Sequence, residues 1–486
     1  MEVLMFKEHP KGLQVLFMTE MWERFSYYGM RAILVLFMTA AVVTGGFEFD
    51  SATAAAIYGL YTFGVYAMAL PGGWVADRII GQQNAVLIGG ILIAAGNYSL
   101  AIPGQVTFYL GLFLVILGTG LLKPNVSAIV GDLYPEGGAR RDAGFSIFYM
   151  GINVGAVAGQ LIVGFLGEKV SWHIGFLSAG IAMTLGVIQF LTRKKALEGA
   201  GLLKGDAASP EMKASGLRQF YMGIAATLVI VAGIYFYFAS TGTFDIVDFA
   251  KNTGYILLAV AVLYFLSIIM FATKNAEEKK RIGMIFILFL GAVVFFAGFE
   301  QAGSSMTIFA RDLTDRTMFN WELPVSWLQN INPLFIVILA PAIGALWVKL
   351  GDKNPSIPIK FGLGLFILGV GFFVLAWGAS FTEAGKVSPM WLVVTYFFHT
   401  VGELCLSPVG LSSVTKLSPK RLVGQMMGTW FLGAALGNLT AGLVATYIEH
   451  FPQDLLYSVV AGFVAVFGLL FFVIAKPINK LAGGIK

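Results

Sequence analysis

A chain of 486 residues with 57% hydrophobic and 12% charged positions is too apolar for a water-soluble fold, in which charged residues make up about a quarter of the chain. One cysteine, Cys405, excludes a disulfide framework and a cysteine metal cluster, and four scattered histidines (His9, His173, His399, His450) give a metal no ligand set. The net charge of +5 would suit nucleic acid, but the basic residues fall in a pattern that serves membrane topology instead.

Apolar runs long enough to cross about 30 Å of hydrocarbon recur from end to end. In lipid, such segments satisfy their own backbones only as helices. Helices are predicted at 12–41, 52–79, 84–102, 106–131, 142–167 and 172–192, then at 219–240 and 252–273, then at 281–310, 325–350, 358–380, 389–414, 422–448 and 455–476. Lys7 and Lys11 lead into the first without a small-residue cleavage site, so it reads as a retained span. The polar stretch 193–218, with Gly199, Gly201, Gly205 and Pro210, reads as a linker. The fold class is therefore all-α and polytopic, with fourteen transmembrane helices. Residues 1–195 form one six-helix bundle, 196–279 a cytoplasmic linker and inserted two-helix hairpin, and 280–486 a second six-helix bundle. Repeated halves of this kind are a common transporter plan.

With the N-terminus inside, 24 of the 32 Lys and Arg residues fall on the cytoplasmic side, and only Lys169, Lys251, Arg311, Arg316 and Lys386 fall opposite. Basic loops stay inside, so the positive charge is topogenic. Both termini are expected in the cytoplasm of a cell whose inner membrane holds the chain, with the lipid bilayer and not nucleic acid as its partner.

Seven ionisable residues lie well inside the spans: Glu20, Glu23, Arg24, Arg31, Lys123, Glu300 and Glu403. Each costs about 2.5–3.5 kcal/mol at the bilayer centre, so they face one another or a polar cavity. Static ion pairs are weak stabilisers compared with apolar packing, which argues for function. Glu20, Glu23, Arg24, Tyr27, Tyr28 and Arg31 recur at three- and four-residue intervals, along one stripe of a helix. Such a stripe suits a zwitterion: Arg grips a carboxylate through two donors, and Tyr offers ring and hydroxyl. Lys123 precedes Pro124, and Glu403 is followed by Ser407-Pro408, so helix interruptions are expected beside both charges. His399 reads as hydrogen-bonded packing and Cys405 as a small buried hydrophobe. Asn153 and Asn332 suit either ligand contact or bonds between neighbouring helices.

Five segments carry a resemblance: Glu20-x-x-Glu23-Arg24-Phe25-x-Tyr27-Tyr28-Gly29; Gly72-Gly73-Trp74-Val75-Ala76-Asp77-Arg78-x-x-Gly81; Phe145-Ser146-Ile147-Phe148-Tyr149-Met150-Gly151-Ile152-Asn153-Val154-Gly155; Phe299-Glu300-Gln301-Ala302-Gly303-Ser304-Ser305; and Gly402-Glu403-Leu404-x-Leu406-Ser407-Pro408-x-Gly410-Leu411-Ser412. In order and at these spacings, the chain resembles the proton-coupled oligopeptide transporters of the major facilitator superfamily, and its inserted hairpin looks like that of the bacterial members. The resemblance implies symport of di- and tripeptides with protons by alternating access, no enzymatic activity, and no cofactor besides the coupling proton. It implies that Arg24 and Lys123 hold the peptide carboxylate and Glu403 its ammonium, helped by Asn153 and Asn332. Tyr27, Tyr28, Tyr66, Ser407 and Trp430 would line the binding region, with Arg31 and Glu300 also counted there. Glu20, Glu23, Arg24, Lys123 and Glu300 would form the proton-coupling set. Arg31 with Glu300, and Asp77 with Arg78, would act in gating. Gly59 stands where animal members carry a histidine, which throws proton chemistry onto the carboxylates.

Relatives that carry nitrate, plant hormones or other small anions are the alternative within this class. A pure anion has no use for the ammonium-binding Glu403, which favours a substrate bearing both charges. A channel or a substrate sensor is the alternative from another class. No ring of acids, nucleophile–base pair or phosphate loop stands out in the sequence to support a pore or an enzyme.

Overall fold

The computed structural model describes Phe6 and residues 9–135, 138–203 and 209–482. Lys7, Lys204 and Lys486, counted on the basic side, lie outside the described residues. Among the described residues, twelve helices are long and apolar enough to cross a membrane. Two more complete the predicted fourteen: α1 (Lys11–Thr39), whose stripe of charges lowers its hydropathy, and α3 (Gln82–Leu100), which opens on Gln82-Gln83-Asn84. The others are α2 (Ser51–Ile80), α4 (Gln105–Asp132), α5 (Gly138–Lys169), α6 (Trp172–Arg193), α7 (Pro210–Thr241), α8 (Ile246–Ala272), α9 (Ala276–Asp312), α10 (Val325–Leu350), α11 (Ile357–Ala379), α12 (Met390–Leu417), α13 (Val423–Ala445) and α14 (Gln453–Val473). A short α15 (Ala475–Leu481) follows, and a two-stranded hairpin, β1 (Thr317–Met318) with β2 (Trp321–Glu322), sits between α9 and α10.

Two expectations are corrected. The linker predicted over 193–218 is shorter, because α7 begins at Pro210 and not at 219. Ser209 caps it by accepting from the Met212 amide at 3.3 Å, and Pro210 sits in the first turn, where its missing N–H costs nothing. The helix interruptions expected at Pro124 and Pro408 do not occur, since α4 and α12 run through both prolines. Beside Pro124, the Asn125 amide donates to the Leu121 carbonyl at 2.7 Å, giving a partner to a backbone acceptor next to the wedge. The break falls instead in α9, where Glu300–Gly303 tighten into a 3-10 turn and Ser304 takes φ −126° and ψ −96°.

The chain forms two compact units, one of residues 1–33 and 64–249 and one of 34–63 and 250–486. In the first, α3 and α4 pack backbone to backbone. A Cβ on Gly89 would lie 2.6 Å from the Gly118 carbonyl oxygen, and one on Gly96 would lie 2.8 Å from that of Gly111. Each pair of glycines is seven residues apart, two turns of helix, so both contacts fall on one antiparallel seam. In the second unit the last residues of α1 and the first half of α2 pack on α9 and α13. The Ser51 amide donates to Glu449 Oε1 at 2.8 Å, Arg311 donates to Thr39, and a Cβ on Gly59 would lie 3.1 Å from the Gly442 Cα. Nearby, Arg316 joins Glu322 at 2.6 Å across the β-hairpin.

The α3–α4 seam leaves no room for one carbon. Gly118→Ala is expected to destabilise the protein by about 1–3 kcal/mol through overpacking. Gly223→Ala in α7, where a Cβ meets nothing within 4 Å, is expected to be neutral or slightly stabilising. Thermal unfolding of the detergent-purified variants checks both.

Candidate functional site

In the first unit the charged stripe of α1 is assembled by close approach. Gly151, Gly155 and Gly159, four residues apart on α5, face α1. Added Cβ atoms there would lie 3.0 Å from the Phe17 ring, 2.9 Å from Arg24 Cβ and 2.8 Å from the Phe25 Cα. With no side chains between the helices, Arg24, Glu20 and Glu23 are 2%, 3% and 0% exposed. Arg24 Nε donates to Glu20 Oε1 at 2.8 Å and stands 2.6 Å from Glu23 Oε2. One guanidinium thus serves two carboxylates. Glu20 Oε2, Glu23 Oε1 and Arg24 Nη2 are buried with no hydrogen-bond partner among the described residues. Lys123 of α4 adds a second cation to the field at Glu23, and its Nζ lies 4.0 Å from the Tyr66 ring centroid. The Arg24 guanidinium carbon lies 5.6 Å and 5.9 Å from the rings of Tyr27 and Tyr28, which pack edge to face at 5.3 Å. The predicted stripe is therefore one cluster, joined by a lysine and a ring from neighbouring helices. Arg31 is buried farther along the same stripe.

Asn153 is buried, and its amide donates at 2.9 Å to the Tyr149 carbonyl of its own helix, not to a neighbouring one. Asp77 and Arg78 are apart from this cluster, in a π-helical turn at the end of α2. Gln82 donates to Asp77 at 3.4 Å, and the Arg78 guanidinium carbon stands 5.8 Å from the Trp74 ring. Both contacts are local to the α2–α3 corner.

In the second unit Asn332 of α10 gathers two groups of α12, donating to Thr400 Oγ1 at 3.0 Å and to Glu403 Oε2 at 3.2 Å. Thr400 passes its own proton to the Tyr396 carbonyl at 2.7 Å. Here Asn332 does bond a neighbouring helix, and through that bond it orients a carboxylate. Ser407, one turn beyond Glu403, has its Oγ buried with no hydrogen-bond partner. Trp430 of α13 is buried, edge-on to Phe296 and Phe361 at 6.4 Å, and its indole fills the space that the missing side chain of Gly410 leaves. Glu300 is buried at the 3-10 break of α9.

Sequence reasoning missed Thr400, although its place three residues before Glu403 puts it on the same helix face. It also missed Asn330, buried with both amide atoms unpartnered. Cys405 is buried as expected. His399 packs but is not hydrogen-bonded: it sits 4.6 Å from the Phe372 ring, and neither ring nitrogen has a partner among the described residues.

Comparison with known proteins places these features in context. The model of the POT family matches residues 83–462. A Yersinia enterocolitica protein named peptide transporter YePEPT is 39% identical over 94% of this chain and 91% of its own. A di-/tripeptide transporter of Lactococcus lactis subsp. cremoris is 36% identical over 99% of this chain and 98% of its own. A crystal structure of a peptide transporter named POT, in complex with sulfate, superposes with a TM-score of 0.92 at 41% identity, covering 98% of this chain and 96% of that one.

Because one cation serves two buried acids, its loss is expected to be severe. Arg24→Ala should cost on the order of 3–5 kcal/mol, the penalty for a stranded buried charge. The loss should shrink as the medium is acidified, since a protonated carboxyl needs no cation, and adding Glu23→Gln should recover part of it. Melting temperatures of the single and double variants across a pH series check this; a deficit independent of pH would contradict it.

Proposed function

The chain belongs to the POT family and is a multi-span membrane transporter rather than an enzyme, and on that premise we propose that it imports di- and tripeptides together with protons. The observation that carries the proposal is the pair of buried carboxylates sharing one guanidinium. A peptide carboxylate is a natural competitor for that guanidinium, because it offers the same bidentate partner. When Arg24 and Lys123 turn to the peptide, Glu20 and Glu23 lose their shared cation, and a proton is the simplest replacement. Substrate and proton binding are then linked through a common partner, and the acids titrate as a cluster rather than one at a time.

Glu403 takes the peptide ammonium in this reading. Asn332, itself anchored on Thr400, holds its carboxylate in place, and the Ser407 hydroxyl one turn on, unpartnered among the described residues, is free to meet the peptide backbone. Tyr27, Tyr28, Tyr66 and Trp430 supply ring surface for side chains, and Asn153 a further polar contact. Arg31 and Glu300 act as a gate, and Asp77 and Arg78 brace the ends of their helices. The chain lies in the cell membrane with both termini in the cytoplasm. The names of the relatives and the need for a group of each charge favour peptides over simple anions.

Proteoliposomes test the reading. Labelled dialanine should accumulate saturably when the outside is acid, and uncoupler should collapse the accumulation; flux independent of the gradient would indicate a channel and overturn it. Glu20→Gln or Glu23→Gln should abolish uphill accumulation while retaining part of the counterflow. Acetylating the dialanine amine should weaken competition at least about thirty-fold in the wild type, the lower end for stranding a buried charged partner. In Glu403→Gln that discrimination should largely vanish. Equal discrimination in both proteins would remove Glu403 from the ammonium site.

A further inference from the structure

The second unit contains a cavity of about 900 Å³ among α10, α11 and α12, beside α15, at the ends that carry the basic loops. Two lysines line it, Lys360 from the first turn of α11 and Lys416 from the last turn of α12, and none of its lining residues is acidic. Neither lysine has a carboxylate partner among the described residues, and the two repel each other electrostatically. Lys360 Nζ lies 4.6 Å from the ring centroid of Trp347 on α10, and Ser356, at the start of α11, has its Oγ buried with no hydrogen-bond partner. Two cations without a carboxylate partner among the described residues, and a buried hydroxyl in want of a donor or acceptor, suit one anion with several oxygens.

This cavity is separate from the polar group at Glu403. On α12, Leu404 and Pro408 line it, each one residue on from Glu403 and Ser407 and so about 100° round the helix. Deeper along the helices its walls are apolar, at Ala340, Ile343 and Leu404. The outer side of α10 exposes Val337, Ile338 and Leu346 next to it. A charged pocket with an apolar inner wall, beside exposed apolar residues of a membrane-spanning helix, has the two-part character of a phospholipid, and an aromatic ring lines it as well.

We propose that Lys360 and Lys416, with Trp347 and Ser356, form a binding site for the phosphate headgroup of an anionic phospholipid. The site bridges the ends of α10, α11 and α12 and has no part in holding the transported solute.

Native mass spectrometry of the purified, full-length protein tests this by titration with phosphatidylglycerol, phosphatidylcholine and inorganic phosphate. Saturable phosphatidylglycerol binding is expected, with the doubly substituted Lys360→Gln/Lys416→Gln protein binding about thirty-fold more weakly, at roughly a tenfold loss or less per lysine. The Lys360→Arg/Lys416→Arg protein should keep the affinity, which separates lost charge from lost structure. Equal binding of phosphatidylcholine would show that charge is not read, and would overturn the proposal. Inorganic phosphate that displaces the lipid completely and binds as tightly alone would assign the pocket to a free anion and overturn the lipid. Unchanged phosphatidylglycerol affinity in the Gln variant would remove the lysines from the site.

Discussion

The structure turns on one electrostatic constraint: Arg24 is shared by Glu20 and Glu23 with almost no exposure of any of the three. A buried pair of opposite charges balances itself, whereas two acids on one base leave a surplus that something must neutralise. A second cation, Lys123, acts on Glu23 and also leans on the face of Tyr66. In the proposed coupling the cluster exchanges partners: either acid can hold Arg24, and a proton can take the place of the cation. A carrier that couples one solute to another needs such a set of exchangeable partners. A rigid one-to-one salt bridge would offer nothing to exchange.

Glycines set how near these charges come. The three on α5 let α1 approach until its backbone is in contact, which buries the stripe and removes competing water. The motif around Asn153 is thus as much a packing seam for α1 as a source of polar contacts. The same logic recurs at Gly410, whose missing side chain is occupied by the Trp430 indole, and along the α3–α4 seam. In lipid there is little hydrophobic drive to hold helices together, so tight van der Waals contact at small residues carries that load.

Much of this was legible in the sequence, for identifiable reasons. Length and hydropathy marked the spans because hydrocarbon leaves a backbone few alternatives, and the three- and four-residue spacing of Glu20 to Arg31 put the cluster on one face. Helix breaks were misread because proline was treated as decisive. Pro124 and Pro408 are tolerated inside α4 and α12, while the real break in α9 comes where Gly303 is pressed against the Tyr58 hydroxyl. That contact joins residues far apart in the chain, so no local pattern announces it. Thr400 was missed because threonine on a membrane helix normally bonds back to its own backbone. It does so here, and its oxygen accepts from Asn332 as well.

Gly59 shows how packing can bar a side chain from a position on α2. The position that carries a histidine in animal members of the family is here a backbone contact: a Cβ on Gly59 would lie 3.1 Å from the Gly442 Cα, and one on Gly442 would lie 2.7 Å from the Gly59 Cα. No imidazole fits between two helices held this close. The buried imidazole of α12, His399, is enclosed against Phe372 with neither nitrogen partnered among the described residues. In the proposed coupling, acids that already share a cation are then the groups best placed to exchange a proton. Helix packing at Gly59 takes the space an imidazole would need, and in the proposed coupling the carboxylates of the first helix carry the charge instead.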